Sequence, residues 1–131
     1  MAEAQAGLAA RAAALALLTA IMEEGQTMAQ VLAAPNGPLK SVAPQDRARA
    51  QRLALQVIRL LEPVDRMLEP HLRKNPPLAV MNILRLATTE LHEGAAPHGV
   101  VNAAVELARK SKRTTPMAGL INAVLRKLPE G

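Results

Sequence analysis

The chain has 131 residues and half of them are hydrophobic, so it is long and apolar enough to bury a core, and we predict one domain over residues 1–131. Its formal net charge of +5 favours an anionic partner. The absence of cysteine excludes disulfides, thiolate metal sites and cysteine nucleophiles, and the absence of Phe, Tyr and Trp excludes RNA recognition by stacking on aromatic rings.

The N-terminal part of the chain has neither the pattern of a secretory signal nor that of a membrane span. The first ten residues contain Glu3 and no Lys or Arg. The longest uncharged apolar stretch, residues 12–22, is too short to cross a bilayer. We therefore expect a cytoplasmic protein without a membrane partner.

Helical periodicity begins at residue 7 and predicts a first helix to residue 24, with Gly25 as its end. Leu8, Ala12, Leu15, Leu18 and Met22 recur at helical spacing and form its predicted apolar stripe. Thr27 and Gln30 have the spacing of a capping box, which opens a short second helix to residue 34. Residues 35–44 contain three prolines and a glycine, and this composition predicts a loop.

Five further helices follow, so the sequence predicts an all-α bundle of about seven helices. Helix three is predicted from residue 45 or 46 to residue 61, and helix four begins around Pro63 and is shortened by Pro70. Helix five spans about 76–93, and its wide apolar arc indicates a central position. Helix six spans about 98–110. Helix seven begins with Thr115 as its cap and Pro116 at its first position.

The residues offer no catalytic constellation. The three histidines, His71, His92 and His98, lie in different segments without the spacing of metal ligands. No strand, glycine-rich loop and helix follow one another, as a nucleotide or S-adenosylmethionine site would require. We therefore predict a non-enzymatic chain with no catalytic residue, no metal and no cofactor.

The leading candidate for anion binding is the basic hinge, residues 109–113, which lies between the last two predicted helices. Four of its five residues are cationic: Arg109, Lys110, Lys112 and Arg113. Two cations are enough to complement the dipole at the end of helix six. Thr114 and Thr115 follow, and their backbone N–H groups are expected to be exposed at a helix N-terminus, where phosphate binds. The sequence thus predicts a phosphate cradle.

Helix three carries an alternative cationic face formed by Arg49, Arg52 and Arg59. Such a face is usually solvated, and nearby carboxylates (Asp46, Glu62 and Asp65) are placed to pair with it. Two further polar residues, Asn102 and Asn122, interrupt the apolar patterns of helices six and seven. Asparagine is a poor residue for the middle of a helix, so each is expected to make an interhelical or loop hydrogen bond.

Several segments, in their order and spacing, resemble NusB-like domains. They are GLAARAAALALLTAIMEEGQTMAQVL (7–32), DRARAQRLALQVIRLL (46–61), ILRLATTEL (83–91), PHGVVNAAVELARK (97–110) and AGLINAVLRKL (118–128). The first two are closest to the branch found at the N-terminus of RsmB/Sun-type rRNA cytosine-5 methyltransferases. The family commonly has aromatic residues where this chain has Thr88, Thr89 and Leu120.

The resemblance implies a NusB-like helical bundle that binds RNA, with rRNA as the expected partner. It also implies that the chain is the N-terminal part of a methyltransferase, in which this domain positions rRNA for a catalytic domain elsewhere in the polypeptide and contacts that domain. Arg11 is the second candidate RNA-binding residue. The alternatives are a free antitermination factor, acting with a ribosomal protein, and a protein-docking module with little RNA contact.

Overall fold

Seven α-helices and two short 3-10 turns account for most of residues 2–128, the part of the chain that the computed structural model describes, with side chains described from Gly7 onward. No strand occurs within that part. The all-α fold of about seven helices is therefore confirmed. The helices are α1 (Ala2–Met22), α2 (Met28–Ala33), α3 (Pro44–Arg59), α4 (Leu61–Leu68), α5 (Leu78–His92), α6 (Pro97–Arg109) and α7 (Ala118–Lys127).

The chain divides into two compact units, and the boundary falls within α3 between Gln56 and Val57. In the first unit, α1 packs against α2. The capping box of α2 is confirmed, because the Thr27 hydroxyl accepts the Gln30 N–H and the Gln30 side chain accepts the Thr27 N–H. Gly25 follows α1 at a φ of +71°, which is the left-handed region that glycine tolerates.

The buried face of α1 differs from the predicted stripe. Ala12 is exposed, and Leu8 and Leu15 are only half-buried. The helix is apolar almost all round, so periodicity could not identify its inner face. Small residues dominate the face that is buried, which lets another backbone approach closely. The fully or largely buried residues are Ala10, Ala13, Ala14, Leu17, Leu18 and Ala20.

In the second unit, α5 occupies the central position that its apolar arc predicted. It packs against α4, α6 and α7, and α6 also packs against α7. Leu84 is fully buried and Leu86 is 1% exposed. Even the polar residues Asn82, Thr88 and Glu90 are buried on this helix. The helix ends before Gly94, whose φ is +92°.

Candidate nucleic-acid interface

The basic hinge is placed as the sequence predicted, between α6 and the 3-10 turn Thr115–Met117 that precedes α7. All four of its cationic residues are exposed. Arg109 is the last residue of α6 and lies 3.4 Å from the Glu106 carboxylate, one turn earlier. Since both side chains of that pair are more than half exposed, the pair is weak.

The predicted phosphate cradle of exposed backbone N–H groups is wrong. The amides of Thr114 and Thr115 both donate to the Ser111 carbonyl, at 3.1 and 2.9 Å. The Met117 amide donates to the Thr114 carbonyl at 2.9 Å. These three amides donate to carbonyl groups within the turn between the helices and do not point toward a ligand. The hinge therefore offers cationic side chains and not a backbone nest.

The start of α7 also differs from the prediction that Thr115 caps it. The Thr115 hydroxyl donates backwards, to the Ser111 carbonyl at 2.7 Å, and the buried Thr114 hydroxyl donates to the Ala108 carbonyl at 2.6 Å. The Thr114 hydroxyl thus binds a carbonyl group in the last turn of α6, and the Thr115 hydroxyl adds a further hydrogen bond to the Ser111 carbonyl in the turn that follows. Regular α-helix begins three residues later, at Ala118.

Arg11 and Arg49 converge on one point of α1, within the first unit. A methyl group on residue 7 would lie 2.7 Å from Arg11 Nη1 and 3.5 Å from Arg49 Nη1. The Arg11 guanidinium therefore occupies the space that the missing side chain of Gly7 leaves above the helix, and Arg49 Nη1 lies at contact distance from the same space. The family resemblance gave Arg11 as a candidate and the helix-three face gave Arg49. No sequence pattern linked the two residues, which lie 38 positions apart.

The other arginines of the helix-three face, Arg52 and Arg59, are exposed, whereas Arg49 is half-buried. Their expected pairing with carboxylates is wrong. Glu62 instead forms an ion pair with Arg66 within α4, and Asp65 binds Arg85 of α5. Among residues 7–128, Asp46 forms no ion pair with Arg49 or Arg52, and Arg59 forms none with Glu62 or Asp65. The helix-three face therefore combines one half-buried arginine with two exposed arginines.

Asn102 and Asn122 do not make the interhelical hydrogen bonds that their positions suggested. The Asn122 Oδ1 atom accepts a hydrogen bond from Arg126 Nε at 3.0 Å, one turn along α7. Asn102 is exposed on α6, and among residues 7–128 no hydrogen bond of its side chain is found. Periodicity singled out these residues but could not say that neither one joins two helices.

A groove between α6 and α7 contains two neighbouring cavities, of about 390 and 480 Å³. Asn102 lines both cavities. The first has an apolar floor that includes Leu91, Val101 and Leu125, with Arg126 at its side. Polar groups line much of the second, namely Asn102, Glu106, Arg109 and Asn122. We name this feature the α6–α7 groove; nothing in the sequence pattern identified it.

Among residues 7–128, the histidines and carboxylates offer no metal site. Among the described side chains, no three residues of the types His, Cys, Asp and Glu lie close enough together to hold a metal ion. His92 and His98 are exposed, and His71 is half-buried in a 3-10 turn. A membrane-crossing helix, long and apolar enough for the task, is not found in the described part of the chain either.

Comparison with known proteins shows which family and which relative the chain resembles. The profile of the NusB family matches residues 8–130. Ribosomal RNA small subunit methyltransferase B of Thermus thermophilus is 41% identical over 86 residues, which cover 64% of this chain and 21% of that protein. The chain thus matches about a fifth of the length of this curated relative. No solved structure matched the chain.

Proposed function

The chain belongs to the NusB family, and we propose that it is an RNA-binding domain that holds single-stranded rRNA through phosphate contacts. Residues 1–131 act as one such domain, the N-terminal part of a longer rRNA methyltransferase. The similarity to the Thermus methyltransferase over 86 residues supports this placement. Cytosine-5 methylation requires a thiolate that this chain lacks, so the catalytic step belongs to another domain of the polypeptide.

The observation that carries the proposal is the convergence of Arg11 and Arg49 above Gly7. Two neighbouring guanidinium groups can approach the same phosphate, because a guanidinium has five N–H donors and can bind a phosphate group while it keeps another partner. We therefore assign the principal RNA contact to these two residues. The exposed cations of the basic hinge form a secondary contact, since the turn's own hydrogen bonds already use the neighbouring amides.

The proposal is tested by titrating fluorescent unpaired RNA with the 131-residue chain between about 50 and 200 mM salt. Affinity that rests on phosphate contacts is expected on the order of 10⁻⁴–10⁻⁶ M near physiological salt. Replacing Arg11 and Arg49 together by alanine should reduce the magnitude of the salt slope by about one to two units, because each lost contact removes slightly less than one.

A matched control separates this contact from the effect of total charge. The double variant Arg66→Ala and Lys74→Ala also removes two positive charges, both of them exposed, from another part of the chain. It should leave the salt slope close to that of the unmodified chain. An equal loss in both double variants would mean that only net charge matters, and the assignment to Arg11 and Arg49 would be wrong.

A second double variant, Lys112→Ala with Arg113→Ala, measures the contribution of the basic hinge. It should weaken binding to all RNA sequences similarly, since phosphate contacts carry no sequence information. We expect a smaller change of the salt slope than in the Arg11 and Arg49 variant. If the hinge variant loses more slope than the arginine variant, the principal contact is the hinge.

Gly7→Ala offers an independent test that leaves the charge unchanged. The added methyl group would lie 2.7 Å from Arg11 Nη1, so the guanidinium, the flexible end of its side chain, must move. Alanine is also a better helix former than glycine, so the helix should not be weakened. RNA affinity should therefore fall without loss of thermal stability. Unchanged affinity would show that the position of Arg11 over Gly7 is unimportant.

A further inference from the structure

Asn102 lies on α6 at a position where asparagine does not stabilise the helix. It lies in the middle of a 13-residue helix, where asparagine is a poorer residue than alanine. Its side chain is exposed and, among the described residues, forms no hydrogen bond that would compensate. An exposed polar side chain of this kind is available to a ligand.

Gly119, on the facing helix, is also unexplained by packing. It is the second residue of α7, and its φ is not positive. A methyl group added there would find no atom within 4 Å apart from its own chain neighbours and the local helix backbone. The fold therefore has room for alanine, which is the better helix former. Gly119 lines the same cavity as Asn102, so the space above it is part of the α6–α7 groove.

The two cavities of the groove differ in chemistry in a way that suits one nucleotide. The apolar floor formed by Leu91, Val101 and Leu125 can contact the face of a base. The amide of Asn102, at the boundary of the two cavities, can donate and accept hydrogen bonds along the edge of that base. Sequence-specific RNA recognition uses such edges of unstacked bases.

The cations of the groove suit the phosphate of the same nucleotide. Arg126 Nε is fixed on Asn122 Oδ1, and within the described part of the chain its Nη atoms have no partner. Arg109 lies at the other cavity, where Glu106 is the one carboxylate among the lining residues. Fixing a guanidinium by one nitrogen limits its freedom before a ligand binds, which lowers the entropy lost on binding.

We propose that the α6–α7 groove recognises one unstacked nucleotide of single-stranded RNA, with Asn102 on the base edge and Arg126 on the phosphate. This inference rests on the proposed RNA-binding function and adds a base-reading site to it. RNA fits the groove better than a protein segment does, because cationic groups lie beside an apolar floor and an amide that has no partner among residues 7–128. The groove would supply the sequence preference that phosphate contacts elsewhere lack.

The test measures the affinity of the 131-residue chain for oligo(U), oligo(C) and oligo(A) of ten nucleotides, which carry equal charge. The unmodified chain should prefer one of the three by about fivefold or more, which corresponds to about 1 kcal/mol, the lower value for a good base contact. Asn102→Ala should abolish that preference and leave the salt slope unchanged, since asparagine is neutral. Asn75→Ala, a change of another exposed asparagine, should retain the preference.

Gly119→Ala separates recognition from stability. It should raise the melting temperature, because alanine replaces a helical glycine, and should also weaken binding of the preferred oligonucleotide by filling the groove. Retention of the base preference by Asn102→Ala would overturn the inference. So would a Gly119→Ala variant that binds as tightly as the unmodified chain.

Different experimental results would contradict the proposed function and this inference. If none of the three oligonucleotides binds, the proposed function is wrong and the inference falls with it. If all three bind equally, with a salt slope that Arg11 and Arg49 control, RNA binding stands and the base-reading site is wrong. A protein segment is then the better occupant of the α6–α7 groove.

Discussion

The Asp65 carboxylate of α4 accepts two parallel hydrogen bonds from the Arg85 guanidinium of α5, Nε to Oδ1 and Nη2 to Oδ2, both at 2.9 Å. Arg85 Nη1 also donates to Asn82 Oδ1 at 3.1 Å. The Arg85 side chain is only 14% exposed and that of Asp65 is 34% exposed. The forked geometry and partial burial make this a structural ion pair that fixes α4 against α5.

We expect Asp65→Ala to lower the free energy of unfolding by about 1.5–3 kcal/mol, the range for hydrogen bonds to charged groups. The change would leave a largely buried guanidinium without its carboxylate. Urea unfolding followed by circular dichroism measures it. The control is Glu62→Ala, which breaks the exposed pair with Arg66 and should change stability by less than about 1 kcal/mol. Equal effects of the two variants would contradict the structural role.

The central position of α5 predicts a large effect of truncating Leu84, which is fully buried. Leu84→Ala should destabilise the fold by roughly 2–5 kcal/mol, because the lost contacts leave a cavity. Denaturant unfolding checks this value. Leu120→Ala provides the control, since Leu120 is 37% exposed and should cost much less. A Leu84→Ala change within measurement error would show that α5 is not central.

Thr88 gives a prediction of the opposite sign. Its hydroxyl is buried and finds no hydrogen-bond partner among the described residues. Valine has nearly the same shape without the hydroxyl, so Thr88→Val should raise the free energy of unfolding, by about 1 kcal/mol. Thr89→Val is the matched control, because the Thr89 hydroxyl donates to the Arg85 carbonyl at 2.8 Å. A melting temperature that falls in both variants would show that Thr88 also has a partner.

Gly94 should tolerate substitution poorly because of its backbone conformation alone. Its φ of +92° is unfavourable for any residue with a Cβ, although no atom crowds the position. Gly94→Ala should therefore destabilise the fold by about 1–2 kcal/mol. Thermal unfolding measures this, and Gly99→Ala, at a helical and equally open position, should instead be neutral or stabilising. The prediction fails if the two variants behave alike.

Local sequence signals were enough for much of the fold. The capping box forms at Thr27 and Gln30 as predicted, and Gly25 and Gly94 follow the ends of their helices as predicted. Each of these features depends on residues within one or two turns. The wide apolar arc of α5 likewise predicted its burial in the second unit. The family likeness, read from the order of several segments, agrees with the NusB profile over residues 8–130.

Contacts between distant residues had to come from the tertiary structure. Charge alone could not show that Asp65 binds Arg85, 20 positions away, and not an arginine of α3. Thr115 looked like a helix cap, but its hydroxyl reaches Ser111 because the turn brings that carbonyl within 2.7 Å. A threonine hydroxyl is equally suited to either use, and the fold of the chain decides between them.

The sequence by itself determined the helices, the lack of stacking aromatics and the positive charge that suits an RNA partner. Only the tertiary structure placed Arg11 and Arg49 over Gly7 and opened the α6–α7 groove beside Asn102. The physical reason is the distance along the chain over which each kind of interaction acts. Helix formation depends on backbone hydrogen bonds and side chains three or four positions apart, whereas a binding surface depends on which helix faces are brought together.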